Sequence, residues 1–155
     1  MLARSFKDYL DSQQIPYDVI SHKATYTAQE IASAAHISGK NLAKTVIIKL
    51  DGKLAMAVLP AAYQINFRRL REALGADEVV LAREDEFRDL FPEYEVGAMP
   101  PFGNLYGLDV YVAESLTEDA EIAFNAGTHV DLVKMSYASF AGLVQPQVLR
   151  FSTRH

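Results

Sequence analysis

Residues 45–59 read TVIIKLDGKLAMAVL, which is two β-prone apolar runs joined by Asp51-Gly52. An Asp-Gly pair between apolar runs is a strong short-range signal of a β-hairpin, because both residues tolerate the positive φ of a tight hairpin turn. The runs are almost continuously apolar rather than alternating, which predicts that other elements cover both faces of the hairpin. We therefore place this hairpin at the centre of the fold and assign the other segments around it.

Helices are predicted on both sides of the hairpin from the signals at their ends. Pro16 ends a first, amphipathic helix near the start of the chain. Thr27 and Glu30 have the spacing of a capping box for a second helix, and Gly39 ends it. Asn66 is a good N-cap and Gly75 a good C-terminal stop for a third helix.

The remaining segments complete an α+β layout, with an antiparallel or mixed sheet and helices packed around it. Further strands are predicted at residues 17–20, 108–112, 121–125 and 130–135. An acidic helix over residues 83–90 should turn Phe87, Leu90 and Phe91 inward, and Ser136 should cap a last helix. We interpret the residues after Gln147 as a loosely polar tail.

The composition limits the classes of protein to which this chain can belong. The 155 residues fit a single domain spanning residues 1–155, and half of them are hydrophobic. No apolar run is long enough to span a bilayer, so we expect a cytoplasmic protein without a membrane partner. The formal net charge of −5 offers no general attraction for DNA or other polyanions, which must then be bound by a local basic patch.

Metal, thiol and cofactor chemistry are not expected. The chain has no cysteine, and its four histidines show no HExxH spacing. His129 and Asp131 alternate as neighbours on a strand face, but we interpret them as ordinary strand residues rather than metal ligands. No serine-hydrolase elbow, phosphate loop or dinucleotide fingerprint occurs, so we predict neither a metal nor a cofactor.

Three features could carry chemistry, and each also has a plain structural interpretation. Residues 97–103 read GAMPPFG, a stiff loop that could hold backbone N–H groups toward a ligand or could be a simple turn. Lys44, just before the hairpin, is a candidate anion anchor or a lysine reaching solvent, and Lys49 in the same run competes with it. Residues 126–129 (AGTH) could form a tight turn or a pocket wall.

Taken together, Ala43-Lys44-Thr45, residues 97–103 and residues 126–129 resemble the YbaK/EbsC family, the freestanding relatives of the prolyl-tRNA synthetase editing domain. The resemblance covers nearly the whole chain and includes residues 22–30 (HKATYTAQE). It implies an α+β fold with a mixed, mostly antiparallel sheet partly curled into a barrel and flanked by helices. It also implies an enzyme, an aminoacyl-tRNA hydrolase that cleaves the ester of mischarged tRNA in trans.

The resemblance assigns the candidate site residues. It implies catalytic roles for Lys44, which would steady the tRNA 3′ end, and for Gly97 and Gly103, which would lend backbone geometry. The expected substrate-binding residues are Tyr26, Met99, Pro100, Pro101, Phe102, Gly127, Thr128 and His129. An aminoacyl ester is already activated, so a positioned water and backbone donors suffice, without metal or cofactor.

The expected partner is the aminoacylated 3′ end of tRNA, held over a small footprint. Arg68, Arg69, Arg71, Lys40 and Lys44 could contact its phosphates, although charged helix exteriors are usually just solvated. An aminoacyl-tRNA synthetase is a candidate partner that would deliver the tRNA. Two alternatives stay open, a non-catalytic module that binds an amino acid or nucleotide and a metal-dependent hydrolase. The residue types do not identify the amino acid removed.

Overall fold

A computed structural model describes residues 4–23, 27–34, 41–95, 97–118 and 120–154. The helices are α1 (Arg4–Ser12), α2 (Ala28–Ala34), α3 (Phe67–Leu74), α4 (Glu84–Phe87) and α5 (Tyr137–Val144). The strands are β1 (Asp18–Ser21), β2 (Leu42–Leu50), β3 (Lys53–Pro60), β4 (Tyr63–Ile65), β5 (Val79–Leu81), β6 (Val110–Ala113), β7 (Glu121–Asn125), β8 (Asp131–Ser136), β9 (Gln147–Leu149) and β10 (Ser152–Arg154). No helix in these residues is long and apolar enough to cross a membrane.

The central hairpin is confirmed. Strands β2 and β3 pair antiparallel along their length, and Asp51 and Gly52 turn between them with φ of +50° and +83°. The Asp51 carboxylate also accepts hydrogen bonds from the backbone N–H groups of Asp77 and Glu78, at 3.0 and 2.8 Å. The turn is therefore fixed both by its own backbone preference and by a side chain that ties it to the start of β5.

The larger sheet is mixed and open. Its strand order is β1-β8-β7-β2-β3-β6-β9, and β5 pairs with β2 beside this path. The pairs β2 with β7, β3 with β6 and β6 with β9 are parallel, and the other pairs of this sheet are antiparallel. Strands β4 and β10 form a separate antiparallel pair. The α+β class with a mixed sheet is thus confirmed, and the sheet does not close into a barrel.

Both faces of the hairpin are buried, as its apolar sequence predicts. One face packs in a cluster around Met56, Val58, Phe102 and Phe124. The opposite face packs in a second cluster that includes Ile48, Ala55, Ala57, Leu59, Leu70 and Phe151. Because side chains alternate along a strand, Lys44 shares the face of the second cluster with Ile48.

The predicted helix caps are present. The N–H of Thr27 donates to the Glu30 carboxylate at 3.0 Å, and the N–H of Glu30 donates back to the Thr27 hydroxyl at 3.1 Å. The Asn66 side chain accepts from the N–H of Arg69, and Gly75 ends α3 in the left-handed region at φ +63°. Ser136 caps α5 in the same way as Asn66 caps α3. Gly39 lies outside the described residues.

Two local predictions are wrong. The acidic segment forms the short α4 and then a 3₁₀ turn, and this change of period leaves Leu90 38% exposed while Phe87 and Phe91 are buried. The residues after Gln147 are not a loose tail, since they form β9 beside β6 and β10 beside β4. Phe151 between these strands is fully buried, so the packing of one aromatic ring anchors this end of the chain.

Candidate active site

The two glycine-bearing loops lie side by side. The N–H of Gly127 donates to the carbonyl of Ala98 at 2.8 Å, and the N–H of Glu95 donates to the carbonyl of Gly127 at 2.8 Å. These two bonds join the 97–103 segment to the turn between β7 and β8. The structure therefore brings together two of the three predicted motifs, which are about thirty positions apart in the chain.

Gly97 is placed where both its conformation and its small size are needed. Its φ is +85°, and a Cβ added there would lie 3.4 Å from Cε1 of His129. Within the described residues, the N–H groups of Gly97 and Met99 have no hydrogen-bond partner. The start of this loop thus has two backbone N–H groups without a partner among the described residues, and Gly97 lies beside the His129 ring.

Gly103 has a different role from Gly97. A Cβ at Gly103 would lie 3.0 Å from Cγ2 of Val110, 3.2 Å from Cβ of Leu108 and 3.3 Å from Sδ of Met56. These contacts are tighter than ordinary packing allows. Gly103 therefore serves the close approach of the loop to the sheet.

The middle of the loop belongs to the core. Met99 is 4% exposed and Phe102 is fully buried, and Pro100 and Pro101 are buried as well. The ring of Phe102 packs edge-on against Phe6 and Phe140, with centroids 5.0 and 5.6 Å apart. The side chains of these four predicted pocket residues thus point into the core, and their packing holds the backbone of the loop in position.

A buried carboxylate fixes the turn at Gly127, Thr128 and His129. The Asp131 side chain is 3% exposed and accepts hydrogen bonds of 2.8 Å from the hydroxyls of Thr128 and Ser21. The Thr128 hydroxyl in turn accepts from the N–H of Asp131 at 3.1 Å. Burial raises the pKa of Asp131, but hydrogen bonds, including those from Thr128 and Ser21, outweigh it and the net direction is downward.

Asp131 and Glu95 were not among the predicted site residues. The N–H of His129 points at the Glu95 carboxylate with a separation of 3.4 Å, so Glu95 contacts the turn through both its backbone and its side chain. The Thr-x-x-Asp spacing of residues 128–131 is the only sequence signal for this arrangement. In the part of the chain that the structure describes, no group of three histidine or acidic side chains could hold a metal ion.

Lys44 lies at a cavity on the face of β2 that also carries Ile48. The cavity has a volume of about 260 Å³, and its other lining residues are Val46, Gln64, Ile65, Phe67 and Leu81. Burial lowers the pKa of the Lys44 amine. No carboxylate among the described residues lies within ion-pair distance of this amine, so an anion entering the cavity would meet an uncompensated positive charge.

Lys49, unlike Lys44, has a carboxylate partner among the described residues. Its amine is 2.8 Å from the Glu86 carboxylate, and it stands on the opposite face of β2. The pKa of Glu86 is lowered, chiefly by the hydrogen bond from Lys49. The periodicity of the strand does not choose between the two lysines, whereas of these two the structure leaves only Lys44 available to an anionic ligand.

Lys44 lies near the start of β2, and the Gly127 turn follows the end of the neighbouring strand β7. Strands β2 and β7 run parallel, with Ala43 opposite Phe124, and β7 ends two residues before Gly127. Residues 97–103 do not line the cavity at Lys44. The three motifs therefore form two adjacent parts. Residues 97–103 and 126–129 form one part, which we call the loop platform, and the cavity at Lys44 is the other. Tyr26 and Lys40 lie outside the described residues.

A basic helix face adjoins the cavity. Phe67, the first residue of α3, lines the cavity, and Arg68, Arg69 and Arg71 of the same helix are exposed. Three guanidinium groups on one short helix form a local positive patch on a protein whose net charge is negative.

Comparison with known proteins finds a family model that covers most of the chain. The family model described as the aminoacyl-tRNA editing domain matches residues 22–143. Proline–tRNA ligases of Staphylococcus aureus, among them that of strain Newman, are 33% identical over 85 residues, which is 55% of this chain and 14% of the ligase. The chain thus spans a small part of the curated relatives that it matches.

Solved structures share the fold. A proposed trans-editing enzyme for prolyl-tRNA synthetase superposes with a TM-score of 0.83 at 19% identity, covering 97% of this chain and 96% of that one. A scaffold protein used for computational grafting of linear epitopes superposes with a TM-score of 0.84 at 18% identity, covering 99% and 97% of the two chains.

Proposed function

This chain belongs to the family of aminoacyl-tRNA editing domains, and from that premise we propose that it is a deacylase that hydrolyses mischarged aminoacyl-tRNA in trans. The substrate is an ester between an amino acid and the 3′-terminal ribose of tRNA. Its hydrolysis requires a water molecule placed near the carbonyl carbon, donors for the developing oxyanion and an anchor for the nucleotide.

The loop platform would supply the oxyanion donors. The N–H groups of Gly97 and Met99 are unpaired within the described chain, and the buried residues behind them limit their movement. Donors fixed in this way need little reorganisation as charge develops on the carbonyl oxygen. Gly103 contributes indirectly, because only a glycine there lets the loop lie so close to the sheet.

The turn opposite would form the second wall of the ester site. The Thr128 hydroxyl is committed to Asp131, so Gly127 and Thr128 contribute the shape of the backbone rather than a reacting group. The exposed His129 ring lies against Gly97 and would act as a polar wall or proton partner. On this proposal Asp131 is a positioning residue.

The single observation that carries the proposal is the Lys44 amine at its cavity, which has no ion-pair partner among the described residues. A partly buried cation without a partner is unfavourable unless a ligand supplies the negative charge. The phosphates next to the terminal nucleotide of tRNA are such a charge, and exposed Arg68, Arg69 and Arg71 would extend the contact. A small electrostatic footprint implies weak, salt-sensitive binding of tRNA.

The test is release of amino acid from a panel of mischarged tRNAs carrying alanine, cysteine, serine or threonine. Wild-type protein should cleave at least one ester well above the spontaneous rate, Lys44→Ala should lose most of that rate, and Lys49→Ala should keep it. The proposal fails if no ester is cleaved faster than in buffer. Binding of tRNA without hydrolysis would instead indicate a non-catalytic module.

A further inference from the structure

Two tyrosine hydroxyls meet where the 97–103 segment begins and ends. Tyr94 precedes this segment and Tyr106 follows it, and the Tyr106 hydroxyl donates a hydrogen bond of 2.6 Å to the Tyr94 hydroxyl. The two rings pack edge-on, with centroids 6.0 Å apart. The segment that carries the proposed oxyanion donors is therefore closed into a loop by a contact between two residues that flank it.

The two hydroxyls lie among apolar groups. Tyr94 is 8% exposed, and the Tyr94 and Tyr106 rings contact Phe91 with centroids 6.1 and 4.7 Å away. Burial raises the pKa of both phenols, so both stay protonated at neutral pH. Phenylalanine would pack in the same places without needing a hydrogen-bond partner. What the hydroxyls add is direction, because a hydrogen bond fixes the relative orientation of the two ends of the loop.

The hydroxyl pair is connected to helix α1. The Ser5 hydroxyl hydrogen-bonds with the Tyr94 hydroxyl and donates to the Glu93 carboxylate. The next residue of the helix, Phe6, packs edge-on against Phe102 with centroids 5.0 Å apart. Helix α1 thus contacts the loop in two ways, through hydrogen bonds at its flank and through an aromatic ring within it.

Tyr94 directly precedes the residue that joins the two glycine-bearing loops. The N–H of Glu95 donates to the carbonyl of Gly127 at 2.8 Å, and the Glu95 carboxylate lies 3.4 Å from the N–H of His129. A shift of the Tyr94 side chain would therefore move the backbone that sets the distance between the two loops.

We propose that the hydroxyls of Ser5, Tyr94 and Tyr106 form a latch that holds the loop platform against α1 in the geometry needed for hydrolysis. Tyr94 and Tyr106 are then positioning residues, which act through the N–H groups of Gly97 and Met99 rather than on the substrate. The effect on hydrolysis rests on the proposed function, whereas the effect on the loop does not. Oxyanion donors must be held close to their working positions, so a small displacement lowers the rate.

The first measurement is amide hydrogen exchange in Tyr94→Phe and Tyr106→Phe, each of which keeps the ring and breaks the bond between the hydroxyls. We expect the amides of Glu95 and Gly127, which join the two loops, to exchange about three- to tenfold faster than in wild type, as for the loss of one neutral hydrogen bond. Unchanged exchange at both amides would overturn the latch. If one variant does not fold, the other decides, since both break the same bond.

Tyr17→Phe is the matched control. It removes a hydroxyl that donates to Asp11 of α1 at 2.7 Å and takes no part in the latch. It should leave the exchange of the two loop-joining amides as in wild type. Equal acceleration in this control and in the latch variants would show a general loss of stability, and the latch would be overturned.

The second measurement is ester hydrolysis under single-turnover conditions with enzyme in excess, where the saturating rate constant does not depend on the folded fraction. The latch variants should lose about three- to tenfold in this rate constant at an unchanged half-saturating concentration, and Tyr17→Phe should lose nothing. An unchanged rate constant, or a loss confined to half-saturation, would overturn the positioning role. If wild type hydrolyses no ester, the deacylase is refuted and hydrogen exchange alone decides whether the latch holds the loop.

Discussion

Replacing Lys44 with methionine should stabilise the fold while it removes activity. Methionine has nearly the length of lysine and would fill the same space beside Val46, Ile65 and Phe67 without an unpaired charge. Lys49→Met is the matched control, because it removes the same group from the same strand but breaks the ion pair with Glu86. The two variants should therefore change the free energy of unfolding in opposite directions.

The size of the effect is limited by the partial exposure of Lys44. Favourable single-site changes of this kind give about 0.5–2 kcal/mol, and solvent screening of a half-buried amine places Lys44→Met at about 0.5–1 kcal/mol. For a domain of this length each kcal/mol corresponds to a shift in Tm of about 2–4 °C. Lys49→Met should lower Tm, since it leaves Glu86 without its partner.

The pH dependence of the free energy of unfolding tests the same prediction independently. The pKa of Lys44 in the folded protein lies below its usual value of 10.5, so between these two values the unfolded chain binds more protons. Stability of the wild type therefore rises as the pH increases through the folded pKa. The advantage of Lys44→Met should be fully present at neutral pH and shrink above the folded pKa, as wild-type Lys44 loses its charge.

Urea unfolding of the three proteins, at neutral pH and at about pH 10, measures these differences directly. A Lys44→Met protein that is less stable than wild type at neutral pH would refute the account of an unpaired amine. An advantage that does not depend on pH would show that packing rather than charge is responsible.

Three further changes test other parts of the site. Gly103→Ala should destabilise the protein by about 1–3 kcal/mol, measured by urea unfolding, because its Cβ would crowd Val110, Leu108 and Met56; a neutral effect would contradict the packing role. Asp131→Asn should lower kcat for ester hydrolysis more than it raises KM, because the turn at Thr128 loses a charged acceptor; unchanged kinetics would remove Asp131 from the site. Arg68→Glu combined with Arg71→Glu should raise KM for aminoacyl-tRNA and weaken its salt dependence while kcat is kept, and a KM equal to that of wild type would place the RNA elsewhere.

Local signals in the sequence predicted the parts of the fold that depend on a few neighbouring residues. The Asp51-Gly52 turn, the Thr27 and Glu30 capping box and the Asn66 cap all form as expected, because each needs only its own short segment. The strands at the C-terminal end could not be predicted in this way. They exist because Phe151 is buried under distant elements, a contact that no short window of sequence contains.

In the candidate site, too, some features could be predicted from the sequence and others depend on contacts between distant residues. The family resemblance assigned Gly97 and the Gly127 turn to one site, and in the structure the two segments are in contact. The family resemblance selected Lys44, but the physical reason to prefer it over Lys49 required the strand register and the position of Glu86, neither of which is a local property. The burial of Met99 and Phe102 was equally out of reach, since apolar loop residues can face a ligand or the core.

The most direct test of the central claim compares Lys44→Ala and Lys49→Ala on one mischarged tRNA under single-turnover conditions. We expect the first variant to lose at least about a hundredfold in kcat/KM, equivalent to about 2.7 kcal/mol of transition-state stabilisation, while the second stays close to wild type. Equal rates for the two variants would contradict the assignment of Lys44 as the anchor of the substrate.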